Sequence, residues 1–332
     1  MNILYLDVLR VCATFAVVFL HAAASDFYTA DIISYDFITS VIYDGLLRWC
    51  VPCFVMLSGA LLLDPQKEVT IESVLKKRIS RLLFAYVFWV IVYAVFKVGV
   101  DVFKDGTLNF SLSMFYPHFH LWFLPMLMGV YIFIPFLKCI VCNIKLVNYA
   151  LILWLLYLIG TIFFKDIPQM NIFFLRYDII GYIGYFLCGY FVSVYAFNKK
   201  QRNIIYLLGI VGVIITIVGT LLLSSLEKNA TEVFFDPLNL NVVFTSIAVF
   251  VFCKYNCNLN FKIIKFINYV KKDLFGIYLV HCVFLSALNK LHFRDLCNDV
   301  ISIPLLAVLV FALSLYCIKF MRKINIVKKF VE

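Results

Sequence analysis

Charged residues are scarce in this chain of 332 residues, of which only 14% are Asp, Glu, Lys or Arg. A soluble domain carries about 25% charged and about 45–50% apolar residues, whereas this chain is 64% hydrophobic with a mean hydropathy of +0.98. These figures exclude a soluble globular enzyme, a disordered chain and a secreted disulfide scaffold. Since one membrane span needs roughly 20 apolar residues, about ten spans would use almost the whole length.

The sequence also lacks the motifs of several reaction classes. The GxSxG motif of a nucleophile elbow is absent, and no Ser/His/Asp triad follows from spacing. Most of the 11 cysteines lie in apolar runs and are predicted to be buried small hydrophobic residues. Cys50 and Cys53 lie in an apolar stretch that contains a proline, which argues against a zinc site. We therefore expect no metal.

The apolar runs predict an all-α polytopic membrane helix bundle that forms a single domain over residues 1–332. Charged residues, Pro, Gly and Asn delimit ten spans, at 4–24, 41–63, 82–104, 119–138, 146–164, 178–197, 204–224, 239–254, 274–292 and 301–320. The absence of a small-residue cleavage site argues that the first span is not a cleavable signal peptide.

The basic residues predict the orientation of this bundle. Twenty of the 29 Lys and Arg residues lie in one set of connecting segments, 64–81, 138–145, 198–203, 254–273 and 319–332. Seven lie in the opposite set. The positive-inside rule then places both termini in the cytosol. The net charge of +10 is expected to reflect these segments, so we expect no nucleic-acid partner.

A polar stripe runs along the first predicted helix. At 100° per residue, Asp7, Arg10, Thr14, His21 and Ser25 fall on one face. Arg10 and His21 are eleven residues apart, which corresponds to a rise of about 16 Å. Such a stripe is expected to face a protein interior or a water-filled cavity rather than lipid. Asp7 and Arg10 alone could instead form an ion pair that snorkels to the cytosolic interface.

The remaining polar residues are predicted to fall into two layers. The outer layer contains His21, Arg48, His118, His120, Arg176, Asp178 and Asp236, and the inner layer contains Arg10, Ser58, Arg78, Arg81, Tyr278 and His281. The spacing of Arg78 and Arg81 places them on a shared helix face. They could bind anionic lipid headgroups or the phosphates of a nucleotide-bearing donor.

Several segments resemble a known family. LDVLRVCATFAVVFLH, in which ten residues separate an Arg from a His, resembles the opening motif of the acyltransferase 3 family of integral membrane acyltransferases. Further similar segments follow in family order up to about residue 284, namely RWCVPCFVMLSGALLL, KKRISRLL, FHLWFLPMLMGVYIFIPFL, DIIGYIGYFLCGYFV and LFGIYLVHCVF. The HLWFL segment is similar to the family members that O-acetylate enterobacterial common antigen. Cys53 and Cys282 depart from the family pattern, and we expect neither to touch a residue with a chemical role.

The resemblance implies transfer of an acyl group, usually acetyl from acetyl-CoA, to a hydroxyl of a sugar, glycan or lipid-linked sugar outside the cytosol. It also implies a multi-pass protein of the bacterial cell membrane, in contact with membrane lipids, and leaves the oligomeric state open. On this basis His21 is expected to be the general base for the acceptor hydroxyl. Arg10 is expected to orient the donor, and Arg78 and Arg81 to bind the phosphates of CoA.

Other candidate residues have two interpretations each. Arg48 or His120 could polarise the thioester carbonyl or orient the acceptor. Tyr278 and His281 are expected either to line the donor channel or to be structural. Trp122 could be a platform for a sugar ring or part of an interfacial belt.

The remaining expectations concern packing and substrate contact. Ser58 completes the set expected to bind the donor, although together with Gly59 it is expected to permit close helix approach rather than to provide a nucleophile. Arg176 and Asp178 complete the expected substrate-binding set.

Two other functional classes compete with the enzyme. A transporter of a polysaccharide, lipid-linked sugar or small amino acid would often show matched halves with broken helices, which this sequence does not show. A membrane scaffold would not need Arg10, Arg48 and His21 at lipid depth.

Overall fold

The structure is a computed structural model that describes residues 4–32, 34–105, 116–164 and 179–331. These parts of the chain contain helices and connecting turns but no strand, which confirms the predicted all-α class. The helices are α1 (Leu4–Phe27), α2 (Tyr35–Leu47), α3 (Cys50–Leu62), α4 (Ile71–Ser73), α5 (Ser80–Asp105), α6 (Phe123–Ile132), α7 (Ile134–Val141), α8 (Ile144–Phe164), α9 (Ile179–Val194), α10 (Lys199–Glu227), α11 (Leu240–Asn256), α12 (Phe261–Val270), α13 (Leu274–Lys290), α14 (Asp299–Met321) and α15 (Asn325–Lys328).

Long apolar helices dominate the bundle. Within the described ranges, seven helical segments are long and apolar enough to cross a membrane. The pair α6–α7 passes the same test together but is bent by 54°, and α9 and α13 are shorter apolar helices. Each of the ten predicted spans falls on one of these helices or on the bent pair. The chain is therefore a polytopic helix bundle, while the number of spans that cross the membrane stays a prediction.

Two prolines explain where predicted spans are broken. The expected span 41–63 begins earlier, because Ser34 caps α2 by accepting a hydrogen bond from the Phe37 amide at 3.1 Å. It is then interrupted between α2 and α3, because Pro52 cannot donate to the Arg48 carbonyl. The bend between α6 and α7 lies at Phe133, two residues before Pro135, which also lacks an amide proton.

Helix α1 lies at the centre of the bundle. It packs against α2, α3, α11, α13 and α14. Its first turns, with Leu6 and Leu9 fully buried, belong to one hydrophobic core, and its middle, with Ala13 and Val18, belongs to a second. Of the polar stripe predicted from the sequence, Thr14 is buried in this interior, and the other four residues are half-buried. By contrast, α10 exposes many large apolar side chains, as expected of a helix that faces lipid.

Helix α12 is an element that the division into spans missed. It is amphipathic, capped by Asn260, and leaves Phe261, Phe266 and Tyr269 exposed beside several lysines. A short helix of this composition, between two long apolar helices, is typical of a segment that lies along a membrane surface.

Candidate active site

A large basic cavity opens beside the first turns of α1. Its volume is about 1080 Å³. Its wall comes from α1, α3, α6, the start of α5, the start of α13 and the segment after α14. The charged residues that line it are Arg10, Lys77, Arg78, Arg81, Lys271, Lys272, Arg322 and Lys328, with Glu68 as the one carboxylate among the described lining residues. This excess of positive charge suits a polyanionic ligand.

Five of the six residues expected to bind the donor line the basic cavity. These are Arg10, Ser58, Arg78, Arg81 and Tyr278. Arg78 belongs to a π-helical turn, Val74–Ile79, which joins α4 to α5. π-helical turns are rare and frequently mark functional sites. Arg81 follows on α5, with its guanidinium 5.9 Å from the ring centre of Phe275 at the start of α13.

Asp7 orders the cationic side chains at one end of the cavity. Its carboxylate lies 3.0 Å from the Lys271 ammonium and 3.8 Å from the Arg10 guanidinium. The expected Asp7–Arg10 pair is thus present but long, and the closer partner of Asp7 comes from the segment before α13. The Arg10 side chain remains 34% exposed, and it faces the basic cavity.

Ser58 is engaged by its own helix. Its hydroxyl donates to the Phe54 carbonyl at 3.0 Å and accepts a long hydrogen bond from the Tyr131 hydroxyl at 3.5 Å. The adjacent Gly59 lies directly against the backbone of α9 at Phe186. The expected close helix approach at Gly59 is confirmed.

Four of the five histidines form one cluster, His21, His118, His120 and His281. The His21 and His281 rings are stacked with centres 5.3 Å apart, and the His120 ring lies 5.1 Å from His281. Nδ1 of His118 and Nδ1 of His120 are 2.9 Å apart. His120 and His281 are almost fully buried, whereas His21 keeps part of its surface exposed. The cluster thus joins α1, α13 and the turn that precedes α6.

Backbone carbonyls orient two of these rings. His281 Nδ1 lies 2.6 Å from the Tyr278 carbonyl oxygen, so this nitrogen carries the proton and Nε2 is the acceptor. His120 Nε2 similarly faces the Leu279 carbonyl at 3.4 Å, which leaves its Nδ1 toward His118. At the edge of the cluster, burial lowers the pKa of His118 to about 4, so this ring is neutral at physiological pH.

Two expectations about α13 are corrected by this geometry. His281 was expected in the inner, donor-binding layer, but it packs against His21 and His120 and does not line the basic cavity. The reason is its bond to the Tyr278 carbonyl, which holds the ring toward α1. Cys282 was expected to touch no residue with a candidate chemical role, but its Sγ lies 3.3 Å from His281 Nε2.

The cluster also contains a set of possible metal ligands. One ligand atom each from His118, His120 and Cys282 lies within 4.8 Å of the others. Imidazole nitrogen and thiolate sulfur are ligands that zinc accepts, so these three side chains could hold such an ion. The expectation that no metal is needed stays a prediction.

Tyr278 connects the basic cavity to the histidine cluster. It lines the cavity, and its hydroxyl donates to the backbone carbonyl of His120. Its ring centre lies 5.6 Å from that of His120 and 5.7 Å from that of Phe123, which also lines the cavity. Tyr278 and Phe123 therefore lie between the basic cavity and the histidine cluster.

A smaller pocket of about 440 Å³ lies beside Arg48. The Arg48 guanidinium pairs with the fully buried Asp44 and lies 4.0 Å from the ring centre of Phe235. Glu232 and Asp236 also line this pocket. Asp44 was not among the expected site residues, although its spacing of four residues from Arg48 within an apolar run was a usable signal.

The last expected site residues are placed as follows. Trp122 is half-buried, and its ring lies 5.9 Å from that of Tyr182 on α9, so it packs within the bundle. Arg176 and Asp178 lie outside the described residues. Arg294, which was not expected at the site, contacts the end of the polar stripe: its guanidinium donates to Ser25 and pairs with Asp26.

A comparison with models of protein families shows which family this chain belongs to. The model of the acyltransferase 3 family, described as an acyltransferase domain, matches residues 3–319. The chain belongs to the acyltransferase 3 family. No match is found among curated proteins or among solved structures. Membership of the acyltransferase 3 family, together with the long apolar helices, makes this chain a multi-pass membrane acyltransferase and favours that interpretation over a transporter.

Proposed function

We propose that this acyltransferase moves an acetyl or other acyl group from cytosolic acyl-CoA to a hydroxyl of a sugar or glycan on the opposite side of the bacterial cell membrane. The proposal rests on the position of Tyr278, which lies between the basic cavity and the histidine cluster. In this proposal the polyanionic donor and the proton acceptor occupy the two ends of one path.

The charge of the basic cavity supports CoA as the donor. CoA carries a diphosphate and a 3′-phosphate, and guanidinium groups bind phosphate oxygens through paired hydrogen bonds. Arg10, Arg78 and Arg81 offer three guanidinium groups on two walls. With the phosphates held there, the pantetheine arm extends toward Tyr278, along the rise of about 16 Å that separates Arg10 from His21 on α1.

The histidine cluster supports proton transfer at the acceptor. In the proposed reaction, His21 takes the proton of the acceptor hydroxyl while the oxygen attacks the thioester carbonyl. The C–S bond breaks, the CoA thiolate leaves toward the basic cavity, and the proton held by His21 is released to it. His281 and His120 fix the surroundings of His21 because their rings are oriented by backbone carbonyls. The pocket beside Arg48 is the proposed place for the acceptor.

The donor assignment is tested by the variant Arg78→Ala. We expect the KM for acetyl-CoA to rise about tenfold, since one charge-assisted contact with phosphate contributes about 1.5 kcal/mol, while kcat changes little. The matched control is Lys76→Ala, because Lys76 lies two residues away in the same π-helical turn, pairs with Glu72 and does not line the basic cavity. Initial rates in membranes over a range of acetyl-CoA concentrations give both constants. Equal KM values for the two variants would contradict the donor assignment.

A further inference from the structure

Two imidazoles and a thiol converge where the turn before α6 meets α13. His118 and His120 lie at the start of the short 3-10 helix Phe119–Trp122, and Cys282 lies in the middle of α13. Among the described residues, these three side chains are the one group of possible metal ligands whose atoms all lie within 4.8 Å of one another. The group joins two distant segments of the chain, so the fold brings it together.

The spacing within this group suits a small transition-metal ion. Zinc binds imidazole nitrogen at about 2.0–2.1 Å and thiolate sulfur at about 2.3 Å in a tetrahedral arrangement, so its ligand atoms lie roughly 3.3–3.6 Å apart. Nδ1 of His118 and Nδ1 of His120 are 2.9 Å apart. Small rotations of these rings, which move the nitrogens by a few tenths of an ångström, are therefore enough to accommodate the ion.

The other nitrogen of His120 is engaged outside the group. His120 Nε2 faces the Leu279 carbonyl at 3.4 Å, so this nitrogen carries the proton and Nδ1 keeps its lone pair on the side of His118. A histidine that ligates a metal almost always donates its other N–H to a carbonyl or carboxylate, which fixes the ring and its tautomer. His120 thus already has the proton arrangement of a metal ligand.

Tyr93 of α5 holds the group from a third side. Its ring stacks on His118, with ring centres 4.5 Å apart, and its hydroxyl donates to the Leu279 carbonyl at 2.8 Å. The Leu279 carbonyl therefore fixes both Tyr93 and His120. His120 and Cys282 are almost fully buried, so their side chains have little freedom to move away. Such preorganisation lowers the cost of binding an ion.

A hydrogen bond between the two imidazoles is the alternative explanation of the short distance between His118 and His120. It requires only a proton on Nδ1 of His118. It does not account for the thiol of Cys282, which lies within reach of both rings. Thiolate sulfur combined with imidazole nitrogen is a ligand set that favours zinc over magnesium or calcium.

We propose that His118, His120 and Cys282 bind one zinc ion. The thiol proton is released to solvent as the Zn–S bond forms, and three protein ligands leave the fourth tetrahedral position to a water molecule. The bound ion ties the turn before α6 to α13. The proposal does not depend on the identity of the acyl donor. It departs from the expectation of no metal, which rested on the surroundings of Cys50 and Cys53.

Cobalt(II) titration of the full chain in detergent tests the site, after treatment with a chelator. We expect the wild type to bind one Co²⁺ with the charge-transfer absorption of a thiolate–cobalt bond, and added Zn²⁺ to abolish that absorption. Cys282→Ser is expected to lose the absorption. The matched control is Cys188→Ser, which changes a buried cysteine of α9 outside the group and should behave as the wild type.

Competition with a fluorescent zinc chelator tests the two imidazoles. We expect His118→Ala and His120→Ala to weaken zinc binding by at least about 100-fold, since loss of an outer partner of a ligand alone costs about 10–100-fold. His292→Ala is the control, because His292 is exposed and pairs with Asp295. It should keep the affinity of the wild type.

The wild type alone provides a second measurement, which stays informative where a ligand variant fails to fold. X-ray absorption at the zinc edge should show one sulfur among the ligands of the loaded wild type. A wild type that binds neither ion, or a zinc site without sulfur, overturns the proposal. So does a Cys282→Ser variant that keeps the cobalt–thiolate absorption, or histidine variants with unchanged zinc affinity. Each of these results leaves the donor assignment intact, since none of them measures binding of CoA.

Discussion

Replacing His21 with alanine is expected to lower the rate of acyl transfer by about 10²–10⁴-fold, which is the usual contribution of a general base. His21 lies on the polar face of α1, and its ring is stacked on His281 and borders Phe119. It is the partly exposed histidine on α1, whereas its neighbours His120 and His281 are buried. Membranes that contain the variant, given labelled acetyl-CoA, should accumulate little labelled product.

The control for this prediction is His292→Ala. His292 is the fifth histidine of the chain, is exposed, and pairs with Asp295 outside the cluster. It should leave the rate unchanged. His21→Gln separates size from basicity, because glutamine can donate and accept hydrogen bonds but cannot take the proton; it should be as inactive as His21→Ala. A His21→Ala variant with the wild-type rate would refute the role of His21.

Replacing Gly59 with alanine is expected to destabilise the bundle by about 3 kcal/mol or more, the upper part of the range for overpacked cores. A Cβ at residue 59 would lie 1.7 Å from the Phe186 carbonyl oxygen on α9. Because the obstacle is backbone rather than a flexible side chain, α3 and α9 must separate. The measurement is thermal unfolding of the purified protein in detergent, in which the variant should unfold at a clearly lower temperature.

The close contact between α3 and α9 can also be tested by a substitution on α9. A Cβ at Gly189 of α9 would lie 2.0 Å from the Met56 carbonyl oxygen of α3, so Gly189→Ala should behave like Gly59→Ala. Gly160→Ala is the matched control, since a Cβ there meets nothing within 4 Å. In a helix this control should be neutral or slightly stabilising. A Gly59→Ala variant that unfolds at the temperature of Gly160→Ala would contradict the close approach of α3 and α9.

Local patterns in the sequence predicted the helix bundle and several of its polar residues. The scarcity of charge predicted a membrane helix bundle, and the few charges left inside apolar runs became informative for that reason. The polar face of α1 does meet other parts of the protein, since Asp7 pairs with Lys271 and His21 stacks on His281. Arg78 and Arg81, three residues apart, do line one cavity. In each case the prediction needed only helical periodicity and the cost of placing charge in lipid.

The features that were missed depend on contacts between distant parts of the chain. His281 joins the histidine cluster because a carbonyl of its own helix turns the ring toward α1, and no spacing rule shows this direction. The contact of Cys282 with His281 follows from the same orientation. The segment after α14 packs against α5 through a hydrogen bond between Trp89 and Phe330, which are 241 residues apart. Tertiary packing of this kind has no signature in a single sequence.

In the proposed reaction the donor enters from the side of the basic cavity, and the acyl group leaves on the other side. Membrane vesicles of opposite orientation test it most directly, with labelled acetyl-CoA added outside sealed vesicles and alkali-labile label measured in the membrane glycans. We expect incorporation by inside-out vesicles of the wild type, and almost none by right-side-out vesicles or by inside-out vesicles of His21→Ala. Equal incorporation in both orientations, or none in either with the protein present, would contradict it.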